Sequence, residues 1–289
     1  MIKTESNIIF EKNKTILINQ KNFIPAQIFD CGQCFRFDRK NDGTYFGVAK
    51  GKYIEVCEND GNIILSGCNE KDYNDIFRDF FDLDFDYTKA GKSLALDDTL
   101  TKATQFGSGI RILHQDEWEA LCSFIISQNN NIPRIKGIIK NLCQTYGEPV
   151  YEDENGSIHY SFPDAQTLAR AGEAGMAKLR TGFRAKYIYD AAKKVADGEI
   201  DLSLPYSMKY SDGADYLCKI KGVGLKVASC VLLFAYRKYD AFPVDVWVKR
   251  ILDKYYGGRV GAEYFGEYAG LAQQYLFYYE RCENNVFLN

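Results

Sequence analysis

Two stretches of this 289-residue chain hold residue types at spacings that could do chemistry. The first is Leu217-Cys218-Lys219-Ile220-Lys221-Gly222-Val223-Gly224-Leu225-Lys226. It reads as a short helix, a Gly-Val-Gly turn and a second helix that opens on a lysine. Glycines permit positive φ and close backbone approach. The unpaired N–H groups at the next helix start then point at one spot, where a phosphate is welcome. A plain tight turn between packed helices fits the same letters, with Val223 as an apolar pin. Lys226 stands in the first helical turn, a place that favours acids. The helix N-terminus and partial burial both lower a lysine pKa, as an amine nucleophile requires. The ordinary alternative is an exposed surface lysine.

The second stretch lies nineteen residues further on, at Phe242-Pro243-Val244-Asp245. Asp245 precedes a helical run from Val246 to Tyr256 and reads as its N-cap. A carboxylate held by capping bonds stays ionised. It can stabilise developing positive charge or move a proton. Cys230 falls one turn after Lys226 on the same helix face and reads as core with Val227, Val231 and Phe234.

Helices and turns must position these groups. From Asp116 onward the pattern is helical. Asp116 caps a helix with Glu119 three residues on, and Trp118, Leu121, Cys122, Ile125 and Ile126 form one face. Further helices are expected at 132–146, 164–171, 174–181, 184–197, 212–219, 225–237, 246–255 and 264–281. The first hundred residues are β-prone instead. Tyr45-Phe46-Gly47-Val48, Lys52-Tyr53-Ile54-Glu55-Val56 and Ile63-Ile64-Leu65 are short strands, with Gly51 and Asn59-Asp60-Gly61 as turns. A helix over 71–81 follows, and the polar stretch Lys89 to Gly109 reads as a boundary. There is no internal repeat.

The whole chain carries a net charge of −3, mildly against a nucleic-acid partner. Residues 180–260 nonetheless hold 15 Lys/Arg against 9 Asp/Glu, so an acidic total leaves room for a basic DNA-binding face. No apolar run approaches a membrane span and the start lacks an apolar signal core, so a cytoplasmic protein is expected. The nine cysteines read as reduced thiols. Cys31-Gly32-Gln33-Cys34 is a CxxC, but with two histidines in the chain and no second CxxC it reads as small residues around a tight turn.

Taken together, Gly222-Val223-Gly224-Leu225-Lys226-Val227-Ala228 and Phe242-Pro243-Val244-Asp245-Val246 resemble the helix-hairpin-helix, Gly/Pro-Asp superfamily of DNA glycosylases. Four further motifs, in order, resemble its 8-oxoguanine DNA glycosylase/AP lyase branch: Cys31-Gly32-Gln33-Cys34-Phe35-Arg36, Ser127-Gln128-Asn129-Asn130-Asn131-Ile132-Pro133-Arg134-Ile135, Gly182-Phe183-Arg184-Ala185-Lys186-Tyr187 and Gly270-Leu271-Ala272-Gln273-Gln274-Tyr275-Leu276-Phe277. The resemblance covers most of the chain. It implies an α+β protein: an N-terminal antiparallel β-rich, TATA-binding-protein-like domain over residues 1–108, then an all-α helix-hairpin-helix glycosylase domain over 109–289.

The resemblance also implies roles. Lys226 would attack the sugar C1′, expel the base and form a Schiff base that ends in β-elimination, with Asp245 stabilising the oxocarbenium-like transition state. Gly32 would offer its carbonyl to N7–H of 8-oxoguanine, the donor that guanine lacks. Phe277 and Cys230 would sandwich the base, Gln273 would bond its Watson–Crick edge, and Pro243 would help to wall the pocket. Asn129, Arg134 and Arg184 would read the orphaned cytosine, and Phe183 would wedge into the gap. The Gly222-Val223-Gly224 hairpin would grip the backbone, and Trp247 would meet a phosphate where the common animal form has His. The implied partner is double-stranded DNA with 8-oxoguanine opposite cytosine, bound by a monomer, in a prokaryote at the nucleoid. No cofactor is expected, since Cys282 alone follows Asp245 and a four-cysteine iron–sulfur cluster cannot form. A glycosylase for alkylated purines and a non-catalytic DNA-binding module are the competing readings. Lys226 speaks against the first, and the Lys226, Asp245 and Gln273/Phe277 set against the second.

Overall fold

The computed structural model describes residues 3–5 and 7–283. Seven strands near the N-terminus form one antiparallel sheet: β1 (Lys3–Glu5), β2 (Ile8–Glu11), β3 (Lys14–Leu17), β4 (Phe37–Arg39), β5 (Tyr45–Ala49), β6 (Lys52–Asn59) and β7 (Asn62–Ser66). Their spatial order is β1-β2-β3-β7-β6-β5-β4. Alternation sets the register. Ile54 and Val56 of β6 point inward, as do Ile63 and Leu65 of β7, and Val56 pairs directly with Leu65. Aromatics cover that face. Phe29 of α1 (Pro25–Phe29) stacks on Phe37 with centroids 4.2 Å apart, and Phe77, Phe80 and Phe81 complete the layer. Phe77 and Phe80 belong to a continuous helical run, α2 (Glu70–Asp72), a π-helical turn Tyr73–Phe77 and α3 (Arg78–Phe80), and Phe81 follows its end.

Lys89 to Gly109, expected as a boundary, carries helices instead. These are α4 (Tyr87–Ser93) and α5 (Asp98–Phe106), each capped by an aspartate, Asp86 and Asp97. Their buried Leu94, Leu100 and Ala103 pack with the helical core rather than the sheet. The remaining helices are α6 (Glu117–Ser127), α7 (Ile132–Tyr146), α8 (Ala165–Ala177), α9 (Ala185–Ala196), α10 (Tyr210–Leu217), α11 (Leu225–Tyr236), α12 (Val246–Tyr256), α13 (Ala262–Phe265) and α14 (Ala269–Glu283). The two helices expected over 164–181 are one element kinked at Gly172. A small antiparallel hairpin, β8 (Pro149–Glu152) with β9 (Ile158–Tyr160), interrupts the helical half.

Helix α11 is the axis of the helical half. Every residue from Val227 to Tyr236 is buried, so the helix is apolar all round and lies inside. Helix α6 lies against it, with Phe124 stacked on Phe234 at 5.4 Å. The C-terminal end of α11 is tied to the sheet half by a polar junction built on the buried His114 and Asp82. The Arg237 Nε donates to His114 Nδ1 at 2.6 Å, and Arg237 pairs with Asp79. The Tyr239 hydroxyl donates to Asp82 at 2.6 Å, as does that of Tyr87 at 2.8 Å.

Candidate active site

A cavity of about 920 Å³ opens between the two halves. Its lining comes from the turn after α1 (Cys31, Gly32), the α6–α7 region, α11 (Lys226, Cys230), the segment before α12 (Pro243, Asp245), Trp247, and α14 (Gln273, Gln274, Phe277). The proposed amine, acid and base-pocket residues therefore share one hollow, although Gly32 and Phe277 lie 245 positions apart.

Lys226 reaches this hollow because of how α11 begins. Gly222 adopts φ +82°, and a methyl there would lie 2.3 Å from the Tyr187 ring of α9. Only glycine turns the chain in that space. Val223 is buried beneath the turn, and Gly224 caps α11 through its backbone carbonyl, which accepts from Ala228 N at 3.0 Å. No side chain caps α11, so its first N–H groups remain open to an anion. One residue into the helix, Lys226 is half-buried, its Nζ 5.9 Å from the Phe124 ring centroid. Cys230 lies one turn further along the same helix and lines the same cavity. Burial pushes the Cys230 thiol up, and Lys226 pulls it partly back, so the sulfur stays protonated and uncharged at neutral pH.

Asp245 is the N-cap expected of it. One oxygen, Oδ1, accepts from Trp247 N at 2.9 Å and from Val248 N at 2.8 Å. The capping bonds engage one oxygen and leave the other free of them. Val244 and Val246 beside it are strongly exposed and form an apolar rim. The half-buried Trp247 carries the Arg250 guanidinium over its ring at 4.7 Å, which brings positive charge to a position that itself has none.

Gly32 adopts φ +83°, and a methyl there would meet Phe277 Cε1 at 3.6 Å and Ile132 Cδ1 at 3.9 Å. Gln273 is only 6% exposed, yet no hydrogen bond engages its amide among the described residues. Such an amide inside a cavity is ready for a polar ligand edge.

The remaining predicted residues form a second group beside the cavity. Arg184 is 2% exposed, and its guanidinium is already engaged. Nε donates to Gln128 O at 2.8 Å, Nη1 to Thr181 O at 3.2 Å, and Nη2 to Gln128 O and to Asn129 O at 2.8 Å. It holds Asn129 in a left-handed conformation, φ +47°. Phe183 projects at 49% exposure with the Arg184 guanidinium 4.4 Å from its ring centroid. Arg134 is exposed on the first turn of α7, whose N-cap is Asn131. Sequence reasoning left Asn131 unassigned, though an Asn two residues before a Pro is a helix-start signal. It also passed over Gln274 and Arg281, whose partners lie some 250 residues away and give no local signal.

Comparison with known proteins adds to this geometry. A family model described as the HhH-GPD superfamily of base excision DNA repair proteins matches residues 122–261. One for the N-terminal domain of 8-oxoguanine DNA glycosylase matches residues 15–121. The fold is thus that of the helix-hairpin-helix base-excision class. The 8-oxoguanine glycosylase/lyase of Clostridium acetobutylicum, in complex with double-stranded DNA containing cytosine opposite 8-oxoguanine, superposes with a TM-score of 0.91 at 40% identity, over 99% of each chain. The N-glycosylase/DNA lyase OGG1 of Arabidopsis thaliana is 30% identical over 276 residues, 86% of this chain and 75% of that one. The N-glycosylase/DNA lyase of Saccharomyces cerevisiae is 38% identical over 159 residues, a match that spans 51% of this chain and 42% of the yeast protein. The chain belongs to the 8-oxoguanine DNA glycosylase family.

Proposed function

We propose that the protein is a bifunctional DNA glycosylase and AP lyase that removes 8-oxoguanine from duplex DNA. The observation that carries this reading is the meeting of Lys226 and Asp245 in one cavity with Gly32, Cys230, Gln273 and Phe277. A damaged nucleotide flipped from the helix enters that cavity, at a cost of a few kcal/mol. Its base lies between Phe277 and Cys230, with the amide of Gln273 on its Watson–Crick edge and the Gly32 carbonyl on N7–H. Guanine has no proton there and leaves the carbonyl unpaired, a penalty of about 1–3 kcal/mol.

The neutral Lys226 amine attacks C1′ as the glycosidic C–N bond breaks, and the base departs with its electron pair and takes up a proton. Asp245 stabilises the positive charge that develops on the sugar. Opening of the sugar ring, in which the C1′–O4′ bond breaks and a proton passes from the amine to O4′, gives an imine between Lys226 and C1′. Removal of a C2′ proton then expels the 3′ phosphate, which is β-elimination. The open N–H groups of the Gly222-Val223-Gly224 hairpin and the Trp247/Arg250 stack grip the backbone. Phe183 fills the gap in the duplex. Arg134, with Asn129 held in place by Arg184, meets the orphaned cytosine. The protein acts as a monomer.

Borohydride reduces an imine to a stable amine, so it tests reaction class and nucleophile together. The expected result is a covalent complex on 8-oxoguanine duplexes, formed fastest opposite cytosine and lost in Lys226→Gln. No adduct with the wild type, or an undiminished adduct with the variant, would overturn the reading.

A further inference from the structure

The turn that carries Gly32 is held by three buried glutamines. Gln33 is fully buried. Its Nε2 donates to Ile28 O at 2.9 Å and to Arg111 O at 2.8 Å, and its Oε1 accepts from Leu113 N at 2.9 Å. Gln115 Nε2 donates to the Gln33 carbonyl at 2.8 Å. Gln274, 3% exposed on α14, donates its Nε2 to the Cys31 carbonyl at 3.0 Å. The peptide that bears the Gly32 carbonyl therefore lies between two peptides whose carbonyls are each pinned by a buried amide. A buried amide without its partner is costly, so each bond resists rotation of the turn.

Gln274 differs from the other two. Gln33 and Gln115 belong to the turn and to the segment behind it, whereas Gln274 reaches from the helix that carries Gln273 and Phe277. Two turns on, Arg281 Nη1 of the same helix donates to Asp30 O at 2.6 Å. The turn and the base-facing side of α14 thus form one unit, with the Gly32 methyl position 3.6 Å from Phe277. The width of the gap and the direction of its carbonyl are set by the same contacts.

We propose that Gln274 is a positioning residue for lesion recognition: by locking the Cys31 carbonyl to α14, it orients the Gly32 carbonyl toward the edge of the flipped base. Its amide donor is taken up by the Cys31 carbonyl, so it acts through the turn and not on the reacting atoms. The assignment rests on the reading of the protein as an 8-oxoguanine glycosylase. It predicts a split between two reactions of one protein. Excision of 8-oxoguanine needs the oriented carbonyl, whereas strand cleavage at a ready-made abasic site needs only Lys226 and the backbone grip.

Gln274→Met keeps the length of the side chain and removes its donor. In single-turnover assays on duplexes with cytosine opposite, the variant is expected to excise 8-oxoguanine about tenfold more slowly, with abasic-site cleavage unchanged. Its preference in binding for the 8-oxoguanine duplex over the guanine duplex falls by a similar factor. Equal loss of both reactions, or loss of neither, overturns the assignment. If Gln274→Met does not fold, Gln274→Glu, of the same shape and without the donor when ionised, is read in the same assays. Failure of both to fold would show that the residue serves the fold alone, which also overturns it. A wild type inert on both duplexes would instead overturn the functional reading, and this assignment with it.

Discussion

Asp245 can serve as a cap and as an acid because the two tasks use different properties. The cap needs an acceptor oxygen, and Oδ1 receives both Trp247 N and Val248 N. The proposed chemistry needs a negative charge. Asparagine supplies the first without the second. Asp245→Asn should therefore melt close to the wild type and bind lesion DNA about as well, while base release slows by about a hundredfold or more. Melting, equilibrium binding and single-turnover excision measured side by side decide this. An equal loss in binding and excision would reduce Asp245 to a cap. The capping role was readable from four letters, Pro-Val-Asp-Val ahead of a helical run. The engagement of Arg184 was not, because it depends on carbonyls from a loop more than fifty residues away.

The helix-hairpin-helix element is as demanding in shape as in charge. Gly222 sits at positive φ with the Tyr187 ring of α9 where a side chain would begin. Gly222→Ala must push α9 and the hairpin apart or twist the turn, and either moves the start of α11 and Lys226 with it. A stability loss of about 1–3 kcal/mol is expected, with DNA affinity falling at all sequences alike. Chemical denaturation and binding to undamaged duplex would check it. Much of the helical half was legible through periodicity and caps: α7, α11 and α12 lie within a residue of their expected limits. The β8–β9 hairpin was passed over although Asn155-Gly156 marks its turn, because the strands are too short and too exposed to alternate. The helices α4 and α5 were hidden by polar surfaces, and their few buried positions gain meaning only against the helical core.

The two halves meet through His114, Asp79, Asp82, Arg237 and Tyr239, and this junction should respond to acid. Burial holds the His114 imidazole down at about 4, against an ordinary 6.5. Asp82 pulls it upward, while Lys50 and Arg111 push it down further. A proton on Nδ1 would also eject the Arg237 bond. The unfolded chain takes up this proton below 6.5 and the folded chain does not until about 4. The histidine's share of stability is thus complete above pH 6.5 and is lost as pH falls toward 4. Between pH 7.5 and pH 5 the wild type should lose about 2 kcal/mol more than His114→Gln in urea denaturation. Equal losses would show that the histidine titrates normally in the fold.

The cavity draws its walls from residue 32 and from residues 273 to 281, with the amine and the acid between them in the chain. During translation Lys226 and Asp245 leave the ribosome before the helix that carries Gln273, Gln274 and Phe277. An interrupted polypeptide that ends at residue 260 would hold the amine, the carboxylate and the Gly32 turn without the helix that closes the cavity over them. The cavity is the last part of the site that synthesis completes, and a shorter precursor lacks the wall that α14 supplies.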